Sequence, residues 1–98
     1  MRLSFHIRVQ QEVNDAVRWY EEQRDGLGDT FFEQLQATLV LISEHPERCS
    51  FWLRSKTIRR AKMNRFPYDV LFEIRADRVR VICLRHEKRH PNYGSGRS

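Results

Sequence analysis

The sequence predicts an α+β fold in the order β-α-α-β-β-β, a helical hairpin packed on one face of a small, mainly antiparallel sheet. Three observations predict it. Apolar residues recur with a period of two over residues 3–7, with a helical period over 9–42, and with a period of two again over 68–83. The 98 residues are 40% hydrophobic and 11% aromatic, enough for one modest core and too apolar for a disordered chain despite 32% charge. No linker or low-complexity tract divides them, so residues 1–98 read as a single domain.

Each element has its own signal. Leu3, Phe5 and Ile7 alternate with Ser4, His6 and Arg8, which predicts a first strand with one buried face. From Val9 the period changes: Val9, Val13, Ala16, Val17 and Tyr20 form the stripe of an amphipathic helix. Asp25-Gly26-Leu27-Gly28-Asp29 breaks it, because glycine accepts the positive φ that ends a helix. Thr30 with Glu33 is a capping-box spacing, so a second helix is expected from Thr30. Its stripe is Phe32, Leu35, Leu39 and Ile42, widened by Phe31, Val40 and Leu41, and Pro46 marks its end. The second half reads as three strands: a charged one over 56–63, a richer one over Tyr68–Ile74, and one carrying Val79, Val81 and Cys83 on one face. Arg75-Ala76-Asp77-Arg78 is the expected tight turn between the last two.

Charge separates the halves. Residues 1–50 hold five Arg or Lys against nine Asp or Glu, whereas residues 51–98 hold thirteen against four. Fifteen of the 18 basic residues are arginine, whose planar fork suits phosphate and carboxylate. A polyanionic partner met by the C-terminal half follows as an expectation. No apolar run nears the roughly 18 residues of a membrane span, and Met1-Arg2-Leu3-Ser4 lacks a signal peptide's apolar stretch. No membrane partner and a cytoplasmic location are expected, with Cys49 and Cys83 as reduced thiols.

Several chemistries are set aside. The chain has no Gly-rich phosphate loop, no H-E-x-x-H and no Cys-x-x-Cys, so neither a metal nor a cofactor is expected. Cys83 and His86 are three apart in a strand and point to opposite faces, which argues against a thiol enzyme. What survives is acid–base work on phosphodiesters, where cations flank the phosphorane and a titratable group moves the proton. Arg59, Arg60, Lys62 and Arg65 precede one strand; Arg85, His86, Lys88, Arg89 and His90 follow another. Alternation places Arg60 and Lys62 on one face, His86 or His90 exchanges protons near neutral pH, and Tyr93 offers a stacking ring.

The block Arg65-Phe66-Pro67-Tyr68, followed by Val70, Leu71 and Phe72, resembles the R-F-P-Y strand of the RelE/ParE family of toxins. Other pieces agree in order: Ala16-Val17-Arg18-Trp19-Tyr20-Glu21, then Gly26-Leu27-Gly28 with Phe31-Phe32, then His45-Pro46. The tail His86-Glu87-Lys88-Arg89-His90-Pro91-Asn92-Tyr93, with Arg97, is similar to the family's H-x-x-R-x-P-x-Y/W ending. The resemblance implies a small toxin of a type II toxin–antitoxin module, silenced by a co-expressed antitoxin. RelE-like members cut mRNA on the ribosome without a metal; ParE-like members poison DNA gyrase. Carried over, the nuclease pattern places its basic pair on Arg60 and Lys62 and its tyrosine on Tyr93, with Arg65 and His86 as further catalytic candidates. Two of its arginines fall on Asp69 and near Glu87, the wrong charge, so the resemblance favours the ParE-like branch. Target contacts are then expected from Arg59, Arg85, Lys88, Arg89 and Arg97.

Overall fold

The computed structural model describes residues 1–98. Strand β1 (Arg2–Phe5) is followed by helices α1 (Val9–Gln23) and α2 (Leu27–Glu44), a short 3-10 turn (Pro46–Arg48), and strands β2 (Ile58–Lys62), β3 (Tyr68–Ile74) and β4 (Arg78–His86). The sheet order is β1-β4-β3-β2. The last three strands form an antiparallel meander, and β1 lies parallel to β4, pairing Arg2–Phe5 with Arg78–Val81. The predicted element order and fold class are those observed.

Both helices pack on one face of this sheet. Val9, Val13, Ala16 and Tyr20 of α1 and Phe31, Leu35 and Ile42 of α2 meet Val70 and Phe72 of β3 and Val79, Val81 and Leu84 of β4. Tyr20 stacks on Phe31 at 5.2 Å between ring centres, and Phe66 and Tyr68 meet Phe31 edge-on at 5.1 and 5.2 Å. That aromatic cluster decides the rotation of α2. Phe31 turns inward and Phe32 outward, whereas the sequence stripe had placed Phe32 inside.

β2 is shorter than expected, Ile58–Lys62 within 56–63, and three further features differ. The first strand ends at Phe5, because the chain turns into α1 after the His6 N–H donates to the Val81 carbonyl, and Ile7 is left exposed. Helix α2 begins at Leu27 and not at Thr30, and no Thr30 capping box forms. The Glu21 carboxylate, at the end of α1, accepts the N–H groups of Gly26 and Gly28 instead. It supplies the acceptor that the first helical N–H groups lack. A side chain at Gly28 would place its Cβ 2.8 Å from the Val17 carbonyl, so glycine there lets the two helices approach. The third difference is a bulge. Leu71 pairs with Cys83 but Phe72 pairs with Val81, which leaves Ile82 as an extra residue on β4. Ile82 and Cys83 therefore both face away from the helices, and Cys83 does not share a face with Val79 and Val81.

Candidate functional site

The helix-free face of the sheet is built differently. Its small apolar cluster comprises Trp52, Ile58, Leu71, Ile82 and Cys83, with Tyr93 packed against it. Charged residues of β2, β3 and β4 surround that cluster. Arg60 and Lys62 do share this face, as alternation predicts, but each meets an acid: Arg60 lies 4.0 Å from Asp69, and Lys62 lies 3.0 Å from Glu87. The hydrogen bond from Lys62 holds the Glu87 carboxyl below its ordinary pKa.

Asp69 and Arg85 form a buried pair beneath this surface. Their carboxylate and guanidinium lie 3.3 Å apart, with the two residues 1% and 5% exposed. Burial raises the Asp69 pKa against the opposing pull of Arg60 and Arg85, and its Oδ1 has no hydrogen-bond partner. Arg85 reaches onward to the tail, donating to the carbonyls of Arg89 at 2.6 Å and Glu87 at 3.3 Å. Its guanidinium sits 4.8 Å from the Trp52 ring, and the Trp52 indole N–H donates to the Pro91 carbonyl at 3.1 Å.

The far end of the tail closes on α1. The Tyr93 hydroxyl donates to Glu12 Oε2 at 2.6 Å, and Arg97 donates to Glu12 Oε1 at 3.0 Å and to the Ile82 carbonyl at 3.1 Å. Burial works against the Arg97 charge, but its hydrogen bonds with Glu12 and Tyr93 outweigh that and raise its pKa. Burial, reinforced by Glu12, raises the Tyr93 phenol as well. Beneath the tail, burial and the Glu12 charge push the Cys83 thiol up to about 12.

The structure divides the candidate residues into three groups. Lys88, Arg89 and His90 are exposed on the tail, and Arg65 is exposed ahead of β3 with a positive φ of 73°. Arg59, Arg85 and Arg97, expected as target contacts, point inward as structural ties. Arg59 donates to the carbonyls of Glu47 and Cys49 and covers the Phe51 ring, bracing the connection from α2 to β2. His86 does not share the face of Arg60 and Lys62, and Tyr93, which packs against the apolar cluster of that face, gives its hydroxyl to Glu12. The His86 ring packs edge-on against Tyr68 at 4.9 Å on the helix side, where both line a cleft of about 580 Å3 beside Trp19 and Arg89. No three His, Cys, Asp or Glu side chains converge as a metal site, and no helix is long and apolar enough to cross a membrane.

Sequence reasoning missed Glu12 and gave Asp69 no structural role. Glu12 carried a signal: it lies at i+3 from Val9 and one residue before Val13, inside the apolar stripe of α1, where a carboxylate needs buried partners. Asp69 carried a weaker one, an acid between apolar residues at the head of a central strand.

A four-stranded mixed sheet with a helical hairpin packed on one face defines the class: a small two-layer α+β module. A solved structure titled "Chromosomal ParDE TA system from P. aeruginosa" has the same fold, with a TM-score of 0.78 at 8% identity over 88% of this chain and 95% of that one. Residues 3–91 match the family described as "ParE toxin of type II toxin-antitoxin system, parDE", and the chain belongs to that family. No curated protein matches it in sequence.

Proposed function

We propose that this toxin acts by binding DNA gyrase, through the basic tail that follows β4, and that a co-expressed antitoxin silences it in the cytoplasm. The observation that carries the choice of target is the separation of the nuclease candidates by the sheet. Arg60 and Lys62 lie on the helix-free face, each against a carboxylate, while the His86 ring lies on the helix side. Metal-independent RNA cleavage needs a proton-transfer group within hydrogen-bond reach of the atom it serves, with cations at the same phosphate. Lys88, Arg89 and His90, by contrast, are consecutive in the chain and exposed.

The antitoxin half of the proposal rests on α2. Phe32, Val40 and Leu41 are 42%, 54% and 60% exposed, an apolar excess on the outside of the hairpin. A partner that is acidic and apolar in turn complements both this surface and the basic second half. Co-expression with the product of a small adjacent gene should yield a stable complex; recovery of the toxin alone, harmless to its host, argues against the module.

The target is tested by comparing two variants in induced cells. The double variant Arg60→Ala/Lys62→Ala should weaken growth arrest modestly, whereas removal of residues 87–97 should abolish it together with gyrase binding. Cleavage of ribosome-bound mRNA by the purified protein, lost in the double variant by a hundredfold or more, about the size of a transition-state donor's contribution, would replace gyrase with the ribosome and its mRNA.

A further inference from the structure

The tail carries no regular strand or helix of its own, so what holds its shape is decisive for any surface it presents. β1 stops pairing at Val81, and the edge of β4 beyond it has no neighbouring strand. Glu12 fills that gap. Its Oε1 accepts the Leu84 N–H at 3.1 Å, its Oε2 accepts the Tyr93 hydroxyl, and the Arg97 guanidinium lies against both oxygens. The Glu12 and Arg97 side chains are only 11% and 13% exposed, so each charge depends on the other for its burial. Arg89, in turn, lies 4.6 Å over the Tyr93 ring that Glu12 holds.

We propose that Glu12 is a positioning residue of the target-binding tail: through Arg97 and Tyr93 it keeps residues 93–97 folded on the open edge of β4 and seats the Tyr93 ring under Arg89, completing the hold that Arg85 exerts on the carbonyls of Glu87, Arg89 and His90. The functional half rests on the tail-mediated toxin reading above. Presetting matters because binding otherwise pays for ordering each mobile side chain at the interface. Glu12 makes no contact with the target itself. Its neutral replacement leaves the Arg97 charge without a counter-ion in a buried site, with only the Ile82 carbonyl and the Tyr93 ring against it, and release of the tail into water is the relief.

Cys83 reports that release directly. The Tyr93 carbonyl lies 3.8 Å from its sulfur, and a Cβ built on Gly94 would come within 2.5 Å of it, so the tail covers the thiol. The experiment measures alkylation of Cys83 by iodoacetamide in Cys49→Ser protein, alone and with Glu12→Gln or Arg97→Gln. Glu12 raises the Cys83 pKa and Arg97 lowers it, so a purely electrostatic effect drives the two variants apart. Tail release drives both rates up, by about tenfold or more when opening becomes that much more frequent. Tyr93→Phe, which removes only the hydroxyl, keeps the fold and should give a smaller rise. Unchanged rates in all three, or opposite changes in the Glu12 and Arg97 variants, overturn the proposal. Variants with a raised rate should also lose growth arrest while their melting temperature stays close to wild type; full arrest by a labelled-open variant overturns the positioning role. A wild-type chain that arrests growth without binding purified gyrase removes the gyrase reading and leaves the Glu12 result intact.

Discussion

The two faces of the sheet are held by different physics. On the helix side, twelve buried side chains of α1, α2, β3 and β4 pack with Met63 and Phe66 into one apolar cluster. On the other side only five buried residues cluster, and the cover is a tail fixed by the Asp69–Arg85 and Glu12–Arg97 pairs. Apolar burial is non-directional and tolerates small rearrangement. Buried ion pairs add little net stability, and removing one partner leaves a charge that is costly where it stays buried and is otherwise released to water. The helix side therefore sets whether the protein folds, and the opposite side sets the shape of the surface it offers.

Substitutions on each side break or sharpen that contrast. The largest effect is expected from Phe72→Ala, since Phe72 is fully buried at the centre of β3. Loss of a large core aromatic costs about 3–5 kcal/mol, read from the urea midpoint, and the tail should unfold together with the core. On the other face, Asp69→Ala should cost about 3 kcal/mol by leaving Arg85 buried without its counter-ion.

The pH dependence of that pair has a definite sign. Burial raises Asp69 above its unfolded pKa, so the folded state holds this proton more tightly. The resulting stabilisation is fully present below the ordinary carboxylate range and is lost as pH rises through the raised value. Asp69→Asn should flatten this part of the pH–stability curve; a curve with unchanged slope would mean that Asp69 is ionised as readily as in the unfolded chain.

A smaller effect is expected at the tail. Gly94→Ala forces a Cβ against the Cys83 sulfur at a position with φ of 77°, and overpacking of this kind costs about 1–3 kcal/mol. Because only the tail is strained, hydrogen exchange should accelerate over residues 90–97 and stay slow in α1 and β3. The smallest effect belongs to Lys62→Ala. Its pair with Glu87 is exposed, and surface ion pairs contribute little, so the melting temperature should match wild type at any salt concentration.

The legibility of the sequence follows the same division. The bounds of β3 were readable because Pro67 has no N–H to donate to a ladder and Tyr68, Val70, Phe72 and Ile74 recur with a period of two. The end of α2 was readable from Pro46. Its start was not, because the acceptor for its first N–H groups comes from Glu21 on the preceding helix and not from a local Thr30–Glu33 spacing. The bulge at Ile82 leaves no mark, since Val79, Val81 and Cys83 alternate straight through it. The roles of Arg85 and Arg97 were hidden for a related reason. Their partners, Asp69 and Glu12, lie 16 and 85 residues away, and an arginine's spacing says nothing about a carboxylate on another element.

The parallel pairing of β1 with β4 also governs when the molecule can finish folding. The first strand emerges from synthesis early, yet its only partner lies at residues 78–81. The first helix likewise waits for residues 93–97 before Glu12 is satisfied. Such long sequence separations make closure a late event, reached only after residues 78–97 are available to meet β1 and α1. A growing chain carries its apolar helix faces uncovered throughout that interval, and it gains the tied tail only once Tyr93 and Arg97 have emerged.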